Sequence, residues 1–142
     1  MKKAIDVLIA PGAPEIVDAL ATGMRQAGLA FRLHHAANEQ NLADQLRCHA
    51  PDVILSSHGK SSFDSRAALA VAREIRPDVP FIFVTDPLLA EPETPSFDPQ
   101  AENVLAAPLR QLAPTVRRAL REARQQARLR EVELMALTSR WR

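Results

Sequence analysis

The sequence is poor in residues that metal, redox and phosphate chemistry commonly use. Cys48 is its only cysteine, so neither an internal disulfide nor a cysteine metal framework can form, and a reducing cytoplasm fits. Tyrosine is absent and Trp141 is the single tryptophan, so the basic stretches lack aromatic interleaving. Lysine is confined to Lys2, Lys3 and Lys60, and no Asp or Glu falls between Asp6 and Glu15. No apolar run approaches the roughly 20 residues that span a bilayer. Asp6 and Pro11-Gly12 also cut the first apolar run too short for a secretory signal. Membrane contact is therefore not expected.

The remaining composition is that of one globular domain. At 142 residues, 46% hydrophobic and 25% charged, the chain can bury a sound core. Its formal net charge of +1 hides an asymmetry. Residues 1–109 hold nine Lys and Arg against 14 Asp and Glu, whereas residues 110–142 hold nine Arg against three Glu. The two parts face different surroundings.

Apolar runs alternate with helical patterns. Ile5 to Ala10 is short, β-branched and stopped by Pro11-Gly12, as a buried parallel strand would be. Ile16, Val17, Leu20 and Met24 lie near helical spacing, with Gly28 where a helix C-cap belongs. A second strand is expected over residues 30–34. Asn38 can cap a helix through Leu42 and Leu46 that Pro51 ends. Asp52 to Ser56 reads as a third strand, and Asp64 as the cap of a helix through Ile75. Phe81 to Thr85 is a fourth strand. Pro87, Pro92, Pro95 and Pro99 then degrade any fourth helix, because an interior proline costs about 3 kcal/mol. Asn103 to Ala106 is a short fifth strand. The order predicts an α/β fold: a doubly wound, parallel five-stranded (βα)5 sheet of flavodoxin-like type.

From Pro114 one helix can run to the end. Ala113, Val116, Leu120, Ala123, Ala127, Arg130, Leu134, Leu137 and Trp141 recur at alternating spacings of three and four, the period of a coiled coil. A helix of that length is about 40 Å long, against about 17 Å for a five-residue strand. Residues 1–112 are thus expected to form the α/β body and 113–142 an extended helix whose second half projects. Leu134, Leu137 and Trp141 are its expected interface. The arginines of this helix read as a solvated outer face in preference to a nucleic-acid or lipid contact.

In a doubly wound sheet, sites form at the carboxyl ends of the strands. Here those ends carry Pro11-Gly12-Ala13, Ser56-Ser57-His58, Thr85-Asp86 and Ala106-Ala107. With the stretches Asp52 to Ser57, Phe63-Asp64, Pro80 to Thr85 and Leu112 to Leu120, the chain resembles the response-regulator receiver family over nearly its whole length. That resemblance implies an acidic pair after the first strand that holds Mg²⁺, and an aspartate ending the third strand that accepts phosphate. It also implies a Thr or Ser ending the fourth strand and a lysine ending the fifth. Phosphoryl transfer to a carboxylate needs the metal and the lysine to offset charge.

Matched position by position, the acidic pair falls on Pro11 and Gly12, the acceptor on Ser57, and the lysine on Ala106 or Ala107. Only Thr85 agrees. Asp52 cannot stand in, because it lies at the wrong end of its strand. The expectation is a pseudo-receiver with no Mg²⁺ and no other cofactor. It would act in a two-component-type pathway by pairing with itself or with a partner signalling protein through the terminal helix. An alternative is a small-molecule sensor using the vacated pocket between Pro11, Ser57 and Thr85. An enzyme is disfavoured: Ser57 lacks a G-x-S-x-G elbow, and Pro11-Gly12 lacks the glycines or lysine of a phosphate loop. His34 and His35 point to opposite faces of a strand and cannot chelate together.

Overall fold

The computed structural model describes residues 4–10, 14–56, 65–85, 104–108 and 111–140. Five strands, β1 (Ile5–Ile9), β2 (Phe31–His35), β3 (Val53–Ser56), β4 (Phe81–Thr85) and β5 (Leu105–Pro108), form one sheet. Its order is β2-β1-β3-β4-β5 and every pairing is parallel. Four helices accompany it among the described residues: α1 (Pro14–Gln26), α2 (Glu39–Cys48), α3 (Ser65–Ile75) and α4 (Leu112–Arg140).

Alternate residues of each central strand feed two separate cores, as the two-residue period of a strand requires. Val7, Ile9, Val53, Leu55, Ile82 and Val84 meet Leu20 and Met24 of α1 and Leu112, Val116 and Ala119 of α4. Leu8, Ala10, Ile54, Phe81 and Phe83 meet Leu42 and Leu46 of α2 and Ala68, Leu69 and Ala72 of α3. Central strands buried on both faces explain the continuous apolar runs at Val7–Ala10 and Val53–Leu55.

Local chemistry fixes the helix ends. Asn38 is extended, and its side-chain oxygen accepts the Asn41 N–H at 2.8 Å, which caps α2. The C-terminus of α1 closes in a Schellman motif. Leu29 N–H reaches the Met24 carbonyl at 3.0 Å, Gly28 N–H reaches that of Arg25 at 3.0 Å, and Gly28 takes φ 78. Guanidinium groups satisfy further end carbonyls. Arg76 donates to Leu46 at 2.8 Å, and Arg117 ties α4 to the end of α1 by donating to Ala27.

The structure shifts two sequence expectations. β5 starts at Leu105 and runs through Pro108, later than residues 103–106. As an edge strand it pairs only with β4, so the missing N–H of Pro108 is tolerated. α4 starts at Leu112, ahead of Pro114. Pro114 remains in the first turn, where N–H groups have no helical acceptor anyway. The broken fourth helix expected over residues 86–102, and Asp64 as a cap, lie outside the described residues.

Candidate functional site

Register defines the carboxyl edge of the sheet. Ile9 stands beside Leu55, Ser56 beside Phe83, Val84 beside Ala107, and Thr85 beside Pro108. The Ala10 N–H donates to the Leu55 carbonyl at 2.9 Å and extends that edge by one residue. The described residues there are therefore Ala10, Ser56, Thr85, Ala107 and Pro108, and none is an acid, base or amide. Ala10, Ser56 and Ala107 are buried. Ala106 lies one residue before Ala107, level with Phe83, and its side chain is exposed. Ala107 is thus the alanine nearer the strand end. Pro11, Gly12 and Ser57 lie outside the described residues, as does Trp141.

The acids of the central strands gather at the opposite edge. Asp6 N–H donates to Asp52 Oδ2 at 2.8 Å, and Asp52 N–H donates to the Asp6 carbonyl at 2.9 Å. Four residues separate Asp6 from Ala10 and Asp52 from Ser56, about 13 Å along a strand. Neither carboxylate can serve the carboxyl edge from there.

Asp6 is the hub of a charged cluster that the sequence did not reveal. Its Oδ1 lies 3.1 Å from Arg32 Nε and 3.5 Å from His34 Nε2, while Oδ2 lies 3.8 Å from His49 Nε2. The three cationic side chains are largely exposed, and the Asp6 side chain is only 15% exposed. β2 supplies Arg32 and His34, and the residue capping α2 supplies His49. The cluster arises from strand order, which places β2 beside β1, and no local spacing signals it. Among the described residues no group of three or more His, Cys, Asp or Glu could hold a metal ion. No helix among them is long and apolar enough to cross a membrane.

The second candidate surface is α4, whose 29 residues span about 43 Å. Leu112, Val116 and Ala119 are buried on the sheet and Ala123 is half-buried. From Arg124 to Leu137 every side chain is exposed. Leu129, Val132, Leu134, Met135 and Leu137 are between 53% and 73% exposed, which is unusual for large apolar groups clustered together. Arg130 still pairs with Asp78, in the connection between α3 and β4. Both described residues of the expected interface, Leu134 and Leu137, therefore lie on the projecting half.

No family model matches the chain, and no curated protein matches it. Solved structures do. NtrX from Brucella abortus is similar at 17% identity and a TM-score of 0.69, over 92% of this chain and 30% of that one. The receiver domain of a sensor histidine kinase from Pseudomonas aeruginosa, with magnesium coordinated in its active-site cleft, is similar at 15% identity and a TM-score of 0.60. That match covers 83% of this chain and 98% of the other. A CheY-like receiver domain protein from Methanospirillum hungatei is similar at 14% identity and a TM-score of 0.65, over 87% and 99%. The chain has the receiver fold, a flavodoxin-like parallel sheet extended by a long C-terminal helix. It spans the length of isolated receivers and about a third of NtrX.

Proposed function

We propose that this chain is a receiver-like signalling domain without phosphorylation chemistry, working by protein–protein contact in a two-component-type pathway. The observation that carries the reading is the composition of the carboxyl edge. Ala10, Ser56, Thr85 and Ala107 offer no carboxylate and no cation, and the sequence places Pro11, Gly12 and Ser57 beside them. Aspartyl phosphate chemistry needs a carboxylate nucleophile, a metal held by acids and a counter-ion. The nearest acids on the central strands are about 13 Å away along the strand. Neither Mg²⁺ nor another cofactor has a role in this reading, and the domain catalyses no reaction.

Contact through α4 is the second half of the proposal. Its first half is anchored in the core while its second half presents exposed leucines, valine and methionine. Exposed apolar groups on a projecting helix support assembly with a second copy or with another signalling protein. An amide NMR titration with Mg²⁺ and beryllofluoride, an acyl-phosphate mimic, tests the first half. The expected result is no saturable shift at Ser56, Ser57 or Thr85. Saturable shifts there would overturn the reading and reveal a working metal or phosphate site.

A further inference from the structure

We propose that two copies of this chain pair antiparallel through residues 130–140 of α4. The inference rests on the reading of α4 as the contact surface and adds the occupant and its direction.

The direction follows from which side of α4 the body occupies. Leu112, Val116, Ala119 and Ala123 face the sheet. On a straight helix with 100° between residues, Ala127, Arg130, Leu134 and Leu137 continue along that same side. The ion pair of Arg130 with Asp78 agrees, because it reaches back to the body from that side. A second helix lying along Leu134 and Leu137 in the same direction would carry its own body on its inner side at the same level. Paired helix axes are about 8–10 Å apart, about the thickness of one layer of the fold. The two bodies would have to share one volume, and parallel pairing through this side is sterically forbidden.

Antiparallel pairing removes the conflict. With Leu134 opposite Leu137 of the second copy, the bodies sit at opposite ends, and residue 140 of each copy reaches only the level of residue 131 of the other. Charge favours the same direction. With Leu134 at heptad position a and Leu137 at d, Glu133 and Arg140 both occupy g, and g meets g in an antiparallel pair. Glu133 of each copy then faces Arg140 of the other, twice by symmetry. A parallel pair would instead set Arg130 against Arg130 and Glu133 against Thr138. The shared stretch is only about 16 Å long, so the contact falls below the roughly 800 Å² per partner of a stable interface. Association is therefore reversible and concentration-dependent.

The test uses the full 142-residue chain with Cys48→Ser and a spin label at Arg124→Cys, an exposed position. Antiparallel pairing offsets the two labels by 23 residues, about 35 Å along the helix. Double electron–electron resonance should read a distance near that value. Sedimentation should show the pair lost in Leu137→Glu, weakened in Glu133→Arg, and restored when Glu133→Arg is combined with Arg140→Glu. A label distance below about 20 Å overturns the proposal, because it places equivalent residues side by side as in parallel helices. A monomer at every concentration to about 1 mM, where the pair would be worth under about 4 kcal/mol, also overturns it. Either failure leaves the beryllofluoride result untouched, so the two proposals fall separately.

Discussion

Two leucines on one helix provide the sharpest check on where the domain ends and the projection begins. Leu112 is 1% exposed, packed against the sheet with Val116 and Ala119, whereas Leu137 on the same helix is 53% exposed. Leu112→Ala removes buried methyl groups and leaves a cavity that the anchored helix can only partly close, which costs about 3 kcal/mol. For a domain of this size each kcal/mol moves the midpoint by about 3 °C, so Tm should fall by about 10 °C. Leu137→Ala removes little buried area and substitutes a better helix former, so its effect should stay within about 0.5 kcal/mol. Thermal and urea unfolding followed by circular dichroism would measure both, at low micromolar concentration so that association adds nothing. Equal losses for the two variants would refute the division of α4 into packed and projecting halves. They would mean that the distal half packs on the body within one chain.

Three further outcomes follow from local geometry. Asn38→Ala deletes the side-chain acceptor of the Asn41 N–H and should cost about 1 kcal/mol in urea unfolding; restoration by Asp or Ser at that position would confirm the cap. Gly28→Ala should cost about 1–2 kcal/mol, measured in the same way. No atom lies within 4 Å of the added Cβ, so the cost is that of φ 78 alone, and Gly28→Asn should lose less. Asp52→Ala removes the acceptor of the Asp6 N–H and should cost about 1 kcal/mol. It should also raise hydrogen exchange at Asp6 while leaving the sheet intact, and unchanged exchange there would count against that bond.

The strands and caps were legible because their causes are local. Phe81–Thr85 is continuous, apolar and β-branched, and it folds over those five residues. Asn38 and Gly28 each do what their side chains, or the lack of one, dictate. The limits of β5 were misplaced because Pro108 looks like a terminator, and only its edge position makes it acceptable. The poverty of the carboxyl edge was legible as well, since the absence of lysine and early acids is a property of the sequence. The cluster around Asp6 was not. Arg32, His34, His49 and Asp52 lie between 26 and 46 residues away from it and meet only through strand order. The seam on α4 was visible as a period, but its direction of pairing depends on where the body lies around the helix, which a period alone does not state.

The strand order has a consequence for how such molecules avoid uncontrolled aggregation. The outer rims of the sheet are β2 and β5, and an open rim can template the addition of a foreign strand. β2 is only five residues long and displays Arg32, His34 and His35 to solvent. β5 has four residues and ends in a proline, which has no amide hydrogen to offer. Charge and brevity blunt one rim, and a missing donor blunts the other, so neither invites fibre growth. Self-recognition is thereby steered away from the sheet and toward a helix surface, where contact saturates at a defined number of copies.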